Sequence, residues 1–345
     1  MTTTKEKKLM TTNKEDVFGF EKLSDDLKTG ARTLDREQAR YMVDYYYQMQ
    51  DNRISAKNQA RISEKEPSQW IEYIGGHLGR LEGRIQTGLD IYSNEQKLGQ
   101  WSRSNIGIGP VIAAGLLAHI DIEKTSHPGS LHRYAGLDPT IEWLGKTKAN
   151  SLVAEVLPAK SGPVTSDHLV QLAKLTNRTP EKIKEFALLV KNGSKPAKSD
   201  GEMGFNRQDL INGLARRPWN ASLKNLTWKI GESFVKVQNK EGAYYGQWYQ
   251  DRRAIEEKAN DSGKYRKQAL AKAETVGRST EAYKFYSKGL LPPGHIYART
   301  KRWVVKLFLS HYYHVGYEIL HGKPPDRPWV IVHGGHSDFI PPPNW

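Results

Sequence analysis

Cysteine is absent from all 345 residues. That excludes a disulfide scaffold, a thiol nucleophile and any thiolate metal site. A metal could be held only by His, Asp or Glu. No apolar run approaches the ~20 residues of a membrane-spanning helix, and mean hydropathy is −0.69. The residues after Met1 are Thr, Lys and Glu rather than a secretory-type apolar stretch. There is no alternating strand–helix order and no glycine-rich loop of the dinucleotide or Walker type. These absences predict a soluble cytoplasmic protein and exclude the commonest nucleotide-binding folds.

What is present is positive charge. The chain carries 52 Lys/Arg against 38 Asp/Glu, a net +14. The excess is localised. Residues 1–100 hold 16 of each sign, whereas residues 206–345 hold 23 Lys/Arg against 12 Asp/Glu. A concentrated positive field is the footprint of a polyanionic partner, nucleic acid first among them.

Helical periodicity dominates the pattern, and the predicted fold is mainly α. Met1 to about Lys14 reads as a tail, with Thr33 as a candidate N-cap. Asp35–Arg61 has Ala39, Met42, Val43, Tyr46, Tyr47 and Met49 on one face. Pro67 opens a second helix, Ser68 to about Tyr92, striped by Trp70, Ile71, Ile74, Leu78, Leu81, Ile85 and Leu89. Gly75, Gly76, Gly79, Gly83 and Gly88 fall within it and are expected to serve close helix packing. Residues 1–98 thus form a helical arm. Ala149–Gly162 reads as irregular. Thr165 or Ser166 caps a short helix, Thr179-Pro180 starts another, and Asn206 caps Arg207–Arg216. The 147–205 block resembles a helical insert, either a structural hairpin or a helix-turn-helix offering Lys182, Lys184 and Lys191 to phosphates. Trp329–Val332 is the one strand-like stretch.

The most informative segment is Ile106-Gly107-Ile108-Gly109-Pro110, between a helix ending near Asn105 and one running from Pro110 through Ile112, Ala113, Leu116, Leu117 and Ile120. Two glycines before a proline-started helix can present backbone N–H groups at a positive helix end, the geometry a phosphate needs. Leu131-His132-Arg133-Tyr134-Ala135-Gly136-Leu137-Asp138-Pro139 follows. The pairing resembles the C-terminal domain of insertion-sequence transposases of the IS-110/IS-116/IS-902 group, with Arg217 to Ile230 resembling its closing helix. The resemblance implies a helix-hairpin-helix domain split over 99–146 and 206–236, DNA as partner, and an origin in a mobile element or phage of a prokaryotic cell. The family also carries an N-terminal RNase-H-like domain with acidic residues, and a serine after the Tyr-Ala-Gly-Leu segment. Here the N-terminal region reads as helical, and Thr140 is the nearest hydroxyl.

Candidate DNA contacts are Gly107, Ile108, Gly109 and Arg103 at the hairpin. Arg216, Arg217 and Lys224 follow on the closing segment. Arg252, Arg253, Arg299 and Arg302 belong to a basic helical C-terminal region, 237–345. The aromatics of residues 238–288 read mainly as core, with base stacking as the competing role. His311, His314, His333 and His336 form a candidate divalent-metal set. The leading expectation is a DNA-binding protein without strand-transfer activity, duplex DNA being its partner, with RNA and a homo-oligomeric state left open and no membrane role. The alternatives are a metal-dependent recombinase or nuclease, and a phage structural or assembly protein.

Overall fold

The computed structural model describes residues 23–62, 69–140, 142–158, 162–191, 200–327, 332 and 339–345. Among these there are fifteen helices and no strand, so the mainly α expectation holds. Trp329–Ile331, like Pro67, His333 and His336, lies outside the described residues.

The chain divides into two compact units, His132–Lys224 and the remainder. In the larger unit the first helices are α1 (Asp25–Arg32), α2 (Arg36–Ile62), α3 (Gln69–Glu95), α4 (Lys97–Ser104) and α5 (Pro110–His119). The α2 cap differs from expectation: Thr33 closes α1 instead. Asp35 caps α2, because Asp35 Oδ1 accepts from Gln38 N at 2.7 Å and Gln38 Oε1 accepts from Asp35 N at 3.1 Å. That reciprocal pair satisfies two donors, where a lone threonine would satisfy one.

Val43, Tyr46 and Met49 of α2, Leu89 and Tyr92 of α3, and Val111, Ala114 and Leu117 of α5 form one core cluster. Helix α5 is apolar on nearly every side and is buried from Ala113 to His119, as an all-round apolar helix must be. The α3 glycines divide in role. Gly79 and Gly88 lie against Arg53 and Met42 of α2, whereas Gly76 and Gly83 face open space. Close packing therefore accounts for only part of that glycine content.

The same unit resumes with most of α11 (Ala221–Lys236), then α12 (Tyr244–Asp261), α13 (Arg266–Ala273), α14 (Glu281–Tyr286) and α15 (Pro293–His321). An aromatic core joins α4, α11, α12 and α15. Trp101 stacks on Phe308 at 5.9 Å, Phe234 on Tyr245 at 4.8 Å, and Phe308 meets Phe234 and Tyr245 edge-on. Tyr245, Tyr249, Tyr265 and Tyr286 are all buried, so these aromatics of the 238–288 region are core.

The second unit holds the end of α6 (Pro128–Tyr134), then α7 (Gly145–Val156), α8 (Ser166–Thr176), α9 (Pro180–Lys191) and α10 (Arg207–Ala215). Thr165, Thr179 and Asn206 each accept a helix-start N–H, as their positions suggested. The stretch from Ala149 is not irregular. It is helical to Val156, because Ala149, Leu152, Val153 and Val156 reach the Leu172, Ile183 and Leu210 core at helical spacing. Burial overrode a weak local signal.

Candidate nucleic-acid interface

The hairpin is built from below. Asn105 Nδ2 donates to Trp101 O at 2.8 Å and closes α4. Ile108 N–H donates to Asn105 O at 3.0 Å, and the Ile108 side chain is buried. Gly107 takes φ +106°, a region closed to most side chains. A Cβ there would also stand 3.1 Å from Phe234. Its carbonyl turns inward and accepts from Ser233 Oγ of α11 at 2.6 Å. Gly109 is different: its backbone is extended (φ −87°, ψ 176°) and nothing lies within 4 Å of a Cβ placed on it. Helix α5 makes its first backbone bond from Ala113 N to Gly109 O. The N–H groups ahead of Ala113 have no intrahelical acceptor and lie at the positive end of the helix dipole.

The C-terminal segment straps this hairpin. Trp101 Nε1 donates to Pro343 O at 2.8 Å, and Asn344 Nδ2 to Ser104 O at 3.2 Å. Tyr244 Oη donates to Pro341 O at 3.2 Å. His311 is the anchor beneath. Its Nε2 meets Ile340 O at 2.9 Å and its Nδ1 meets Tyr245 Oη at 2.8 Å. Burial, with His314 nearby, brings its pKa down to about 4 against the pull of the Ile340 carbonyl. With both ring nitrogens engaged, His311 could ligate a metal only by giving up one of these partners. His314 packs on the Phe339 ring and sits 3.6 Å from Glu318. No group of three or more metal-binding side chains converges among the described residues.

The basic candidates separate by partner. Arg103 pairs with Asp90 at 2.6 Å, and Arg253 with Glu257 at 2.8 Å. Arg252 and Arg299 share the buried Glu256, which also accepts from Tyr265 Oη at 2.5 Å. Burial alone would raise the Glu256 pKa, but Tyr265, Arg252 and Arg299 outweigh it and hold the carboxyl low. Lys301, on the same helix, is buried and paired with Glu232 rather than exposed on a basic face. Arg302 keeps an exposed surface, while partial burial of its guanidinium and the neighbouring Arg299 charge lower its pKa. Among the described residues Arg302, Arg216 and Arg217 form no ion pair.

In the second unit, two stretches singled out in the sequence meet. Asn220 N donates to Tyr134 O at 2.9 Å, and Asn220 Nδ2 to Tyr134 Oη at 2.8 Å. Gly136 (φ +66°) lies flat on Trp219, whose ring also carries Lys224 Nζ 3.7 Å from its centroid. Trp143 Nε1 donates to Ala215 O at 2.7 Å, and the Arg217 guanidinium sits 4.9 Å from the Trp143 ring centroid. Thr140 donates its hydroxyl to Asp138 Oδ1 at 2.7 Å. Sequence reasoning missed Ser233, Glu256 and Trp143. Glu256 carried a signal, since it stands four residues after Arg252 on the same helix; Ser233 carried none.

The larger unit thus presents a Gly-Ile-Gly-Pro turn between two helices, and the second unit, by itself, joins the Tyr134 and Asn220 stretches. Residues 103–159 match the family model of the Transposase IS116/IS110/IS902 family. The resemblance seen in the sequence therefore holds for that segment, which is a minority of the chain. No curated protein and no solved structure matches the chain. No helix among the described residues is long and apolar enough to cross a membrane.

Proposed function

We propose that this is a transposase-related DNA-binding protein that grips the phosphate backbone through the α4–α5 hairpin, without strand-transfer activity of its own. One observation carries the reading. Gly107 turns its carbonyl into the fold onto Ser233, while Gly109 leaves the start of α5 open to the outside. An anion at that point meets unpaired N–H groups and a positive helix end. Recognition of this type is sequence-independent and steeply salt-dependent. The net charge of +14 supplies the long-range attraction, and the exposed Arg302 adds to it. The transposase-family segment favours DNA as the polyanion. Thr140, which donates its hydroxyl to Asp138 Oδ1, stands in the region where the family places serine.

Gly109→Asp tests this cleanly. The backbone there is extended and open, and aspartate is a good N-cap. The new carboxylate folds onto the same N–H groups and repels phosphate. The variant is expected to melt no lower than the wild type, yet bind a 20-bp duplex at least tenfold more weakly by fluorescence anisotropy in low salt. Unchanged affinity would remove the hairpin from the interface. No duplex binding by the wild type at low salt would end the reading.

A further inference from the structure

We propose that the second unit carries a separate stacking site for unpaired nucleobases of single-stranded DNA, with Trp143 as its platform and Arg217 as its cationic flank. This rests on the reading that the partner is nucleic acid, but on none of the hairpin's residues.

Trp143 is 43% exposed. It is also held in place, since its indole N–H donates to the Ala215 carbonyl at 2.7 Å. A ring that is fixed and still wet loses little conformational entropy when a flat partner covers it. Arg217, itself exposed, lies over one face of the ring, 4.9 Å from its centroid, so a base would stack on the opposite face with the guanidinium charge behind the indole. A second half-exposed ring, Tyr134, is tied through its hydroxyl to Asn220, three residues beyond Arg217. That spacing puts the backbone beside the two rings within at most ~10 Å. Trp219 is not part of the platform, because the Gly136 backbone packs on its ring in addition to Lys224, whereas Trp143 carries Arg217 alone.

The local charge fits a polyanion. The nearby carboxylates are compensated: Asp138 pairs with Arg133 at 3.3 Å and Glu142 with Lys148 at 2.8 Å. Lys146, Arg216 and Arg217 are exposed around them and outside any ion pair among the described residues. Fixed aromatics flanked by Arg and Lys are the recurring solution for bases that are not paired, because every base offers a π-face. A duplex hides those faces, so this surface selects single strands.

The test uses the full chain, a labelled 20-nucleotide oligothymidine and a 20-bp duplex. Trp143→Ala is expected to weaken oligothymidine binding about tenfold and to leave duplex binding within twofold of wild type. Trp143→Phe, which keeps a ring, is expected to recover most of the loss. In protein labelled with 5-fluorotryptophan, the resonance assigned by Trp143→Phe should shift with oligothymidine and not with duplex. An equal loss on both substrates, or a Trp143 resonance indifferent to oligothymidine, overturns the proposal. Oligouridine bound tenfold more tightly than oligothymidine would assign the site to RNA and overturn the DNA form of it. Gly109→Asp separates the two readings, since it is expected to depress duplex binding while the Trp143-dependent single-strand component persists.

Discussion

Two buried histidines make the stability of the larger unit pH-dependent in a calculable way. His311 and His119 are 3% and 5% exposed, and burial lowers each pKa from an ordinary 6.5 to about 4. In His119 the Arg40 charge adds to burial. A group whose folded pKa is depressed disfavours protonation of the native state. Between the two pKa values the unfolded chain binds more protons, so stability is full above pH 6.5 and falls as pH drops toward 4. Linkage gives a loss of about 2 kcal/mol per ring at pH 5, growing to about 3 kcal/mol by pH 4. The two together should remove about 4 kcal/mol between pH 8 and pH 5, a large share of an ordinary domain stability. The assay is urea unfolding followed by circular dichroism at half-unit steps from pH 8 to 5. His311→Gln is the control. It lowers stability at pH 8 through the altered contacts with Tyr245 and Ile340, and it should flatten the pH dependence by about 2 kcal/mol. A variant whose pH profile parallels the wild type, or a native His311 ring titrating near 6.5 by NMR, would refute the reasoning.

Other outcomes follow from the same geometry. Gly107→Ala forces a Cβ into a positive-φ position 3.1 Å from Phe234 and is expected to cost about 1–3 kcal/mol, with duplex binding weakened in parallel. Glu256→Ala strips the shared acceptor from Arg252, Arg299 and Tyr265. Thermal unfolding should then show a loss of about 3–5 kcal/mol. Removing residues 340–345 leaves Trp101 Nε1, His311 Nε2 and the Ser104 carbonyl without their partners. Hydrogen exchange should accelerate in α4 more than in α8, and equal protection in both would argue that the strap bears no load on the hairpin.

Local rules carried the helix starts well, and they carried side-chain partners poorly. Thr165, Thr179-Pro180 and Asn206 announced helices because a cap acts within four residues. Asp35 was missed because Thr33 offers the same chemistry two positions earlier, and only the Gln38 reciprocal bond decides between them. The span from Ala149 looked irregular because its Lys, Ser and Asn residues mask four apolar positions that matter only once α8 to α10 are in place. Arg252–Glu256 and Arg253–Glu257 are i,i+4 pairs that helical spacing does reveal, whereas nothing local ties Arg299 to the same carboxylate. Arg299 is 43 residues from Glu256.

By itself the sequence determined a helical, cysteine-free, strongly basic chain with a Gly-Ile-Gly-Pro hairpin, since periodicity, capping and net charge are properties of neighbouring residues. The tertiary structure decided which charges remain open to a partner and which are consumed in the core. It also turned Gly107 inward and Gly109 outward, and it brought the tail back over α4. Those outcomes depend on contacts between residues tens to hundreds of positions apart. Desolvation and pairing at such contacts exist only after the helices have packed.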